Sequence, residues 1–143
     1  MGKSNYWSNG VLNLLFNGAT LATIAENASA SPLTVLYVSL HTANPGAAGN
    51  QSTSEAAYTS YARVAVNRNT GGWPTTTTEV ISPAAAIVFP EATGGSETET
   101  YFGIGTAPSG SGQLLYSGPI SPNIAVSTGV TPQLTTATTI QEE

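Results

Sequence analysis

The chain has 143 residues, of which 40% are hydrophobic and only 8% are charged, and its formal net charge is −5. A hydrophobic fraction of this size excludes disorder throughout, and the length suits one domain with its own core. Three cations, Lys3, Arg63 and Arg68, are too few to neutralise the phosphates of DNA or RNA, so we expect no nucleic-acid partner.

The residue types that the chain lacks exclude several kinds of site. It has no cysteine, one histidine and eight acidic residues that are all glutamate, which argues against disulfides, thiol nucleophiles, zinc sites and calcium loops. We therefore expect no metal or cofactor. No apolar run approaches the roughly 18 residues of a membrane-spanning helix, so we expect no membrane partner. A surface with so few charges is typical of a protein that neighbouring chains cover.

Residues 4–16 are the one helix candidate. Ser4 is a suitable N-cap, and Asn17 and Gly18 are suitable for ending the helix. An apolar stripe at helical spacing is formed by Trp7, Val11, Leu14 and Leu15. We interpret residues 1–18 as an N-terminal helical arm, whereas residues 19–25 are apolar but ambiguous.

The stretch 33–46, LTVLYVSLHTANPG, predicts a central strand. Residues 33–40 are apolar or β-forming on both faces, which is typical of a strand covered on both sides. Asn44, Pro45 and Gly46 then end it. We expect a flexible loop up to residue 60 and a sheet built around this strand.

Short β patterns continue along the rest of the chain at a spacing of about 8–12 residues, which indicates an antiparallel sandwich or barrel. Residues 105–112, GTAPSGSG, lack the lysine of a phosphate loop and predict a hairpin loop. We therefore expect one domain, 1–143, with a β-sandwich over 33–141. The remaining predicted strands are residues 61–68, 79–81, 84–89, 98–105, 113–117, 124–127 and 134–140.

No catalytic set stands out, and we expect no enzymatic activity. His41 is the only histidine, and we favour a structural histidine that bonds loop backbone over a general base. Glu97 and Glu99 share a strand face and have the residue types of a glycosidase acid pair, but a solvated face is the favoured interpretation.

Arg63 lies within a strand pattern, where an arginine usually has a carboxylate partner. Glu55 is a plausible partner because its loop returns into this strand. We interpret the two as a structural brace, with a contact across a subunit interface as the alternative. Trp73, Tyr58 and Tyr61 pack in the core or at an interface, or else stack on a sugar.

Several runs together resemble a family of small structural proteins of tailed bacteriophages. They are YVSLHTANPG at 37–46, YARVAV at 61–66, VFPEA at 88–92, YFGI at 101–104 and LLYSG at 114–118. Members of this family are labelled tail-fibre-like, head-fibre or capsid cement proteins. The resemblance implies a virion component without enzymatic activity.

Together these observations predict an all-β, jelly-roll-like antiparallel sandwich with a short N-terminal helix. We interpret it as a capsid cement or decoration protein on the outer surface of the capsid, assembled in the host cytoplasm. Its expected partners are the major capsid protein and copies of itself, as a dimer or trimer. The alternative is a tail- or head-fibre component that contacts host glycan. The candidate interface residues are Trp7, Leu14, Phe16, Trp73, Tyr58 and Tyr61.

Overall fold

A computed structural model describes residues 4–20 and 32–142 of the chain. By their contacts the residues group into two compact units. The first unit comprises Met1–Val35, Asn67–Ala86 and Thr135–Glu143, and the second comprises Leu36–Val66 and Ile87–Leu134. The elements of the described part are α1 (Asn5–Asn17), β1 (Val35–His41), β2 (Val64–Asn67), β3 (Val80–Ile81), β4 (Ile87–Val88), β5 (Ser96–Gly105), β6 (Leu114–Ser127), β7 (Gln133–Leu134) and β8 (Ile140–Gln141).

These elements confirm the predicted fold class, an all-β protein with one short N-terminal helix. The β1–β5, β5–β6, β3–β8 and β4–β7 pairs are all antiparallel, as expected for an all-β sandwich. The single domain over 1–143 stays a prediction, and residues 21–25 of the ambiguous stretch lie outside the described residues. Helix α1 is too short to cross a membrane, and it is the only helix in the two described segments.

The ends of α1 are where the sequence predicts them, but its buried face is not. Ser4 accepts a hydrogen bond from the Trp7 N–H, and Gly18 ends the helix with φ of 66°. The buried residues are Ser8, Leu12 and Phe16, whereas Trp7 is 40% exposed. The predicted stripe, which began at Trp7, was therefore wrong by about one helical position.

A contact distant in sequence explains this difference in the first unit. The Phe16 ring packs edge-on against the Trp73 ring at a centroid distance of 4.7 Å, and both side chains are fully buried. An edge-to-face pair of this kind stabilises a core beyond the area it buries. The position of Trp73 determines how α1 is rotated about its axis. Helical periodicity cannot reveal the position of a residue so distant in sequence.

Arg68 holds the C-terminal end of α1 in the same unit. Its guanidinium donates to the carbonyl oxygens of Leu14, at 2.6 Å, and of Leu15, and to that of Leu33 at 3.1 Å. The last carbonyls of a helix have no partner inside the helix and carry partial negative charge. One arginine thus satisfies the helix end and connects it to the chain before β1.

The second unit is built on a four-stranded sheet with the order β2-β1-β5-β6. Strand β1 lies inside this sheet, as the sequence predicts. One sheet face is apolar and buried, and it is formed by Leu36, Val38, Leu40, Phe102 and Ile104. The other face carries Ser39 and His41 of β1 opposite Gly103 and Tyr101 of β5. Both faces are covered, which explains the continuous β pattern of β1.

Strand β6 is one long strand where two short strands were predicted. The connection expected around residues 118–123 is part of β6, which runs through Pro119 and Pro122. Proline is tolerated there because β6 is at the edge of the sheet, where the outward side of the strand needs no donor. A register shift between Glu99 and Tyr101 absorbs the extra residues. By contrast, the predicted strand 134–140 is divided between β7 and β8.

Candidate functional site

Two loops of the second unit are connected by the side chain of Gln51. We call residues 42–60 the covering loop and residues 106–113 the hairpin loop. Gln51 is fully buried, and its side-chain Oε1 accepts from the Ala107 N–H at 2.9 Å, while its backbone N–H donates to Ser111 O at 2.8 Å. A Cβ at Gly105 or Gly112 would collide with the Gln51 amide, so these glycines make room for it.

Arg63 and Glu55 are brought together beside Gln51. The Arg63 Nε lies 2.6 Å from Glu55 Oε1, and the Nη2 lies 2.8 Å from Oε2, which makes a bidentate ion pair. The Arg63 side chain is 2% exposed and that of Glu55 16%. Arg63 also donates to the carbonyl oxygens of Ala107 at 2.9 Å and Gly110 at 2.6 Å. The pair thus joins the covering loop, the hairpin loop and the chain entering β2.

Tyr61 links the Arg63–Glu55 ion pair to the central strand β1, and we call these residues together with Gln51 the buried network. Its hydroxyl donates to Glu55 Oε1 at 2.9 Å and accepts from the Leu40 N–H at 3.1 Å. Burial raises the pKa of Tyr61, so the hydroxyl keeps its proton. The Tyr61 ring packs edge-on against Tyr58 at 5.3 Å and stacks with Phe89 at 6.4 Å.

His41 has the structural role that the sequence predicts. Its Nδ1 lies 2.9 Å from Thr53 O and its Nε2 lies 2.8 Å from Ser39 Oγ. Because a carbonyl oxygen only accepts, Nδ1 carries the proton and Nε2 accepts from the serine. Both side chains are fully buried against Gly103, and desolvation lowers the pKa of His41. The pair is arranged like a nucleophile and its base, but no substrate reaches it in this conformation.

The two glutamates of β5 do not form the predicted solvated face. Glu97 Oε1 accepts from the N–H groups of Ala57 and Tyr58 at 2.8 and 2.7 Å. Glu99 is 0% exposed, and neither of its carboxyl oxygens has a hydrogen-bond partner within the described segments. Burial, helped by the neighbouring Glu97, raises the pKa of Glu99 to about 8. Strand alternation places the two side chains on one face but does not reveal which part of that face is covered.

Three of the candidate interface aromatics are buried within their own units. Phe16 and Trp73 pack on each other in the first unit, and Tyr58 is buried in the second, where its hydroxyl donates to Pro90 O at 3.0 Å. Their side chains are not available to a partner or a sugar in this conformation. Tyr61 is half-buried within the network already described.

Helix α1 keeps the remaining candidates near solvent. Leu14 is half-buried and Trp7 is 40% exposed, and next to Trp7 the sequence reasoning missed Tyr6, which is 61% exposed. Tyr6 lies outside the predicted apolar stripe, so the periodicity gave no reason to select it.

An open cleft of about 510 Å³ lies beside the covering loop in the second unit. Asn44, Gly46 and Gly49 of that loop line one part, and Tyr101 of β5 and Tyr116 and Pro119 of β6 line another. Sequence reasoning missed this cleft because it treated residues 47–60 as flexible, although Glu55 signalled an anchor. Among the described residues, no group of acidic or histidine side chains is placed to hold a metal ion.

The Arg63–Glu55 pair predicts a strong energetic coupling. Arg63→Ala and Glu55→Ala should each lower the free energy of unfolding by about 3 kcal/mol or more, because each leaves a largely buried charge without its partner. The double variant should lose less than the sum of the two, by about 1–3 kcal/mol. Urea unfolding of the four proteins measures this difference.

A matched pair of variants controls that cycle. Glu91 is an exposed glutamate of the same unit, and Glu91→Ala combined with Arg63→Ala should be additive. Additive losses for the Glu55 cycle as well would contradict a direct ion pair.

Glu99 predicts a pH-dependent loss of stability. Its pKa is about 8 in the folded chain against an ordinary value of 4.5, so between these pH values the unfolded chain releases a proton that the folded chain retains. Stability therefore falls as the pH rises through this window. Glu99→Gln removes this effect, and its melting temperature should exceed that of the wild type by several degrees at pH 8.

Thermal unfolding at a series of pH values checks this prediction. The advantage of Glu99→Gln should shrink towards pH 4.5, and Glu91→Gln should follow the wild type throughout. A constant offset between the Glu99→Gln and wild-type curves would contradict a buried, protonated Glu99.

Comparison with known proteins identifies the family of the chain. Residues 2–141 match the family described as "Podophage GP4 fiber I protein gp80", whereas none of the curated proteins matches the chain. Because the match covers nearly the whole sequence, the chain belongs to this family. It is a phage structural protein of the fibre type and a component of the virion, which confirms the resemblance noted in its sequence.

Proposed function

We propose that this member of the gp80 family is a non-enzymatic subunit of a virion fibre that works through contacts with other proteins and with the host surface. The observation that carries the proposal is the family match over residues 2–141, whose description names a fibre protein. The second unit supports the non-enzymatic part of the proposal, because its buried polar side chains hydrogen-bond to loop backbone.

The candidate catalytic groups support a binding role over catalysis. A general base must reach a proton of the substrate, yet the Ser39–His41 pair is fully buried. Glu97 is occupied by two backbone N–H groups, and Glu99 is buried beside it. Neither carboxyl is placed to protonate a glycosidic oxygen in this conformation.

The exposed aromatic residues of α1 support contacts with neighbouring virion proteins. Tyr6 and Trp7 are adjacent and are 61% and 40% exposed, and aromatic side chains are enriched at the centres of protein interfaces. A helical arm that presents them would attach the subunit to another copy of this chain or to a different virion protein.

The low charge of the chain favours a second candidate, a capsid cement protein. Only 8% of its residues are charged, so a large part of the surface suits burial against neighbouring subunits. In this role copies of the chain, as dimers or trimers, would bind the major capsid protein on the outside of the shell. Binding to the assembled shell would stabilise it by mass action.

The copy number of the chain per virion separates the two functions. We expect a handful of copies relative to the major capsid protein, because fibres are attached at few positions. Quantitative mass spectrometry of purified virions, with isotope-labelled peptides of both proteins, provides the measurement. Gold labelling of the chain on intact virions gives its position independently.

The outcomes of this experiment separate the two functions. A handful of copies with label at fibres supports the proposal. A ratio near one, or a simple fraction of one, with label over the whole shell would overturn it in favour of the cement protein. Absence from purified virions would overturn both.

A further inference from the structure

The cleft of the second unit has the size of a ligand site and no charge in its lining. Its volume of about 510 Å³ is within the range of small-molecule sites, roughly 300–1,000 Å³. None of its ten lining residues is acidic or basic. Phosphate and carboxylate ligands are usually held by arginine or lysine, and the net charge of −5 further disfavours anions. The cleft therefore suits an uncharged ligand.

The cleft combines apolar ring faces with polar groups that lack partners. Tyr101 on β5 lies opposite Pro119 on β6 in the strand register, and the Tyr116 ring is a third ring in the lining. The Tyr101 hydroxyl and the Asn44 side-chain NH₂ make no hydrogen bond within the described segments. A ligand that presents both C–H faces and hydroxyl groups matches this lining, because the faces pack on rings and the hydroxyls pair with the polar groups.

The loop side of the cleft is held by hydrogen bonds within the covering loop. Asn44 Oδ1 accepts from the Gly46 N–H at 2.9 Å, and the Gly49 N–H donates to Gly46 O at 3.1 Å. Gly46 has φ of 72°, and a Cβ at Gly49 would collide with Pro45 O. Two residues further along the chain, the Gln51 side chain accepts a hydrogen bond that connects the covering loop to the hairpin loop. Such a loop loses little conformational freedom on binding.

From this geometry we propose that the cleft between residues 44–49 and β6 binds an uncharged saccharide. The ring of the sugar packs against Tyr101 and Pro119, and its hydroxyl groups pair with the Asn44 amide and the Tyr101 hydroxyl. This inference rests on the proposed function, since a fibre subunit that touches the host surface meets surface sugars. Under this inference, the contact with the host surface is made with an uncharged sugar through Asn44, Tyr101 and Pro119.

A titration with free sugars tests the inference. The full chain, labelled with ¹⁵N, is titrated with neutral sugars (glucose, galactose, mannose, rhamnose and N-acetylglucosamine) and with two acidic sugars, glucuronic acid and N-acetylneuraminic acid. At tens of millimolar, at least one neutral sugar should shift the NMR signals of the Asn44 side chain and the Gly46 and Gly49 amides. The acidic sugars should leave these signals unchanged.

Two variants and a matched control assign the effect to the cleft. Asn44→Asp keeps the oxygen that accepts from Gly46 but replaces the amide donor with a charge, so affinity should fall by about tenfold or more. Tyr101→Phe removes only the hydroxyl and should weaken binding less. Asn123→Asp makes the same chemical change at an exposed position outside the cleft lining and should bind like the wild type. Unchanged spectra without sugar verify that each variant folds.

The negative outcomes are separate from those of the proposed function. No shift at the cleft with any neutral sugar, equal shifts with acidic sugars, or full binding by Asn44→Asp would overturn the saccharide site. A chain that binds no sugar but is present in few copies at fibres would remain a fibre subunit. A chain that binds neutral sugar but covers the capsid would keep the site and lose the fibre assignment.

Discussion

The ion pair between Arg63 and Glu55 is the constraint on which the second unit depends. An arginine side chain that is 2% exposed must have its charge and its donors satisfied within the protein. Glu55 supplies the charge, and the carbonyl oxygens of Ala107 and Gly110 accept two further bonds. These partners come from two different loops, so the native pair requires both loops in one arrangement. Gln51 and Tyr61 add hydrogen bonds, with the Ala107 N–H and the Glu55 carboxylate respectively, that depend on the same arrangement.

Local chemistry explains what the sequence predicted. The caps of α1, the central position of β1, the hairpin at 105–112 and the backbone contact of His41 each follow from residues close in sequence. The rotation of α1 depends on Trp73, and the burial of Glu99 depends on chain segments that cover β5. The sequence predicted two strands in place of β6 because proline and glycine usually interrupt strands. An edge strand such as β6 tolerates them. The cleft was missed because composition alone cannot show that a glycine-rich loop is anchored.

The structural network and the proposed binding site are parts of one arrangement. The covering loop begins with Asn44 and Gly46 at the cleft and continues to Gln51 and Glu55 in the buried network. A binding loop that is ordered before the ligand arrives loses less entropy on binding. In the proposed binding mode, recognition does not depend on ion pairs with the ligand, which suits a chain with very few charges.

Hydrogen exchange of the Arg63→Lys variant measures whether the order of the two loops depends on the Arg63–Glu55 pair. Lysine keeps the charge near Glu55 but lacks the planar fork that reaches the carboxylate and both carbonyls together. We expect the amides of Gln51 and Ala107, which bond across the two loops, to lose protection together while the β1–β5 amides keep theirs. Unchanged protection at Gln51 and Ala107, or an equal loss throughout the sheet, would contradict the claim that the Arg63–Glu55 pair fixes the two loops.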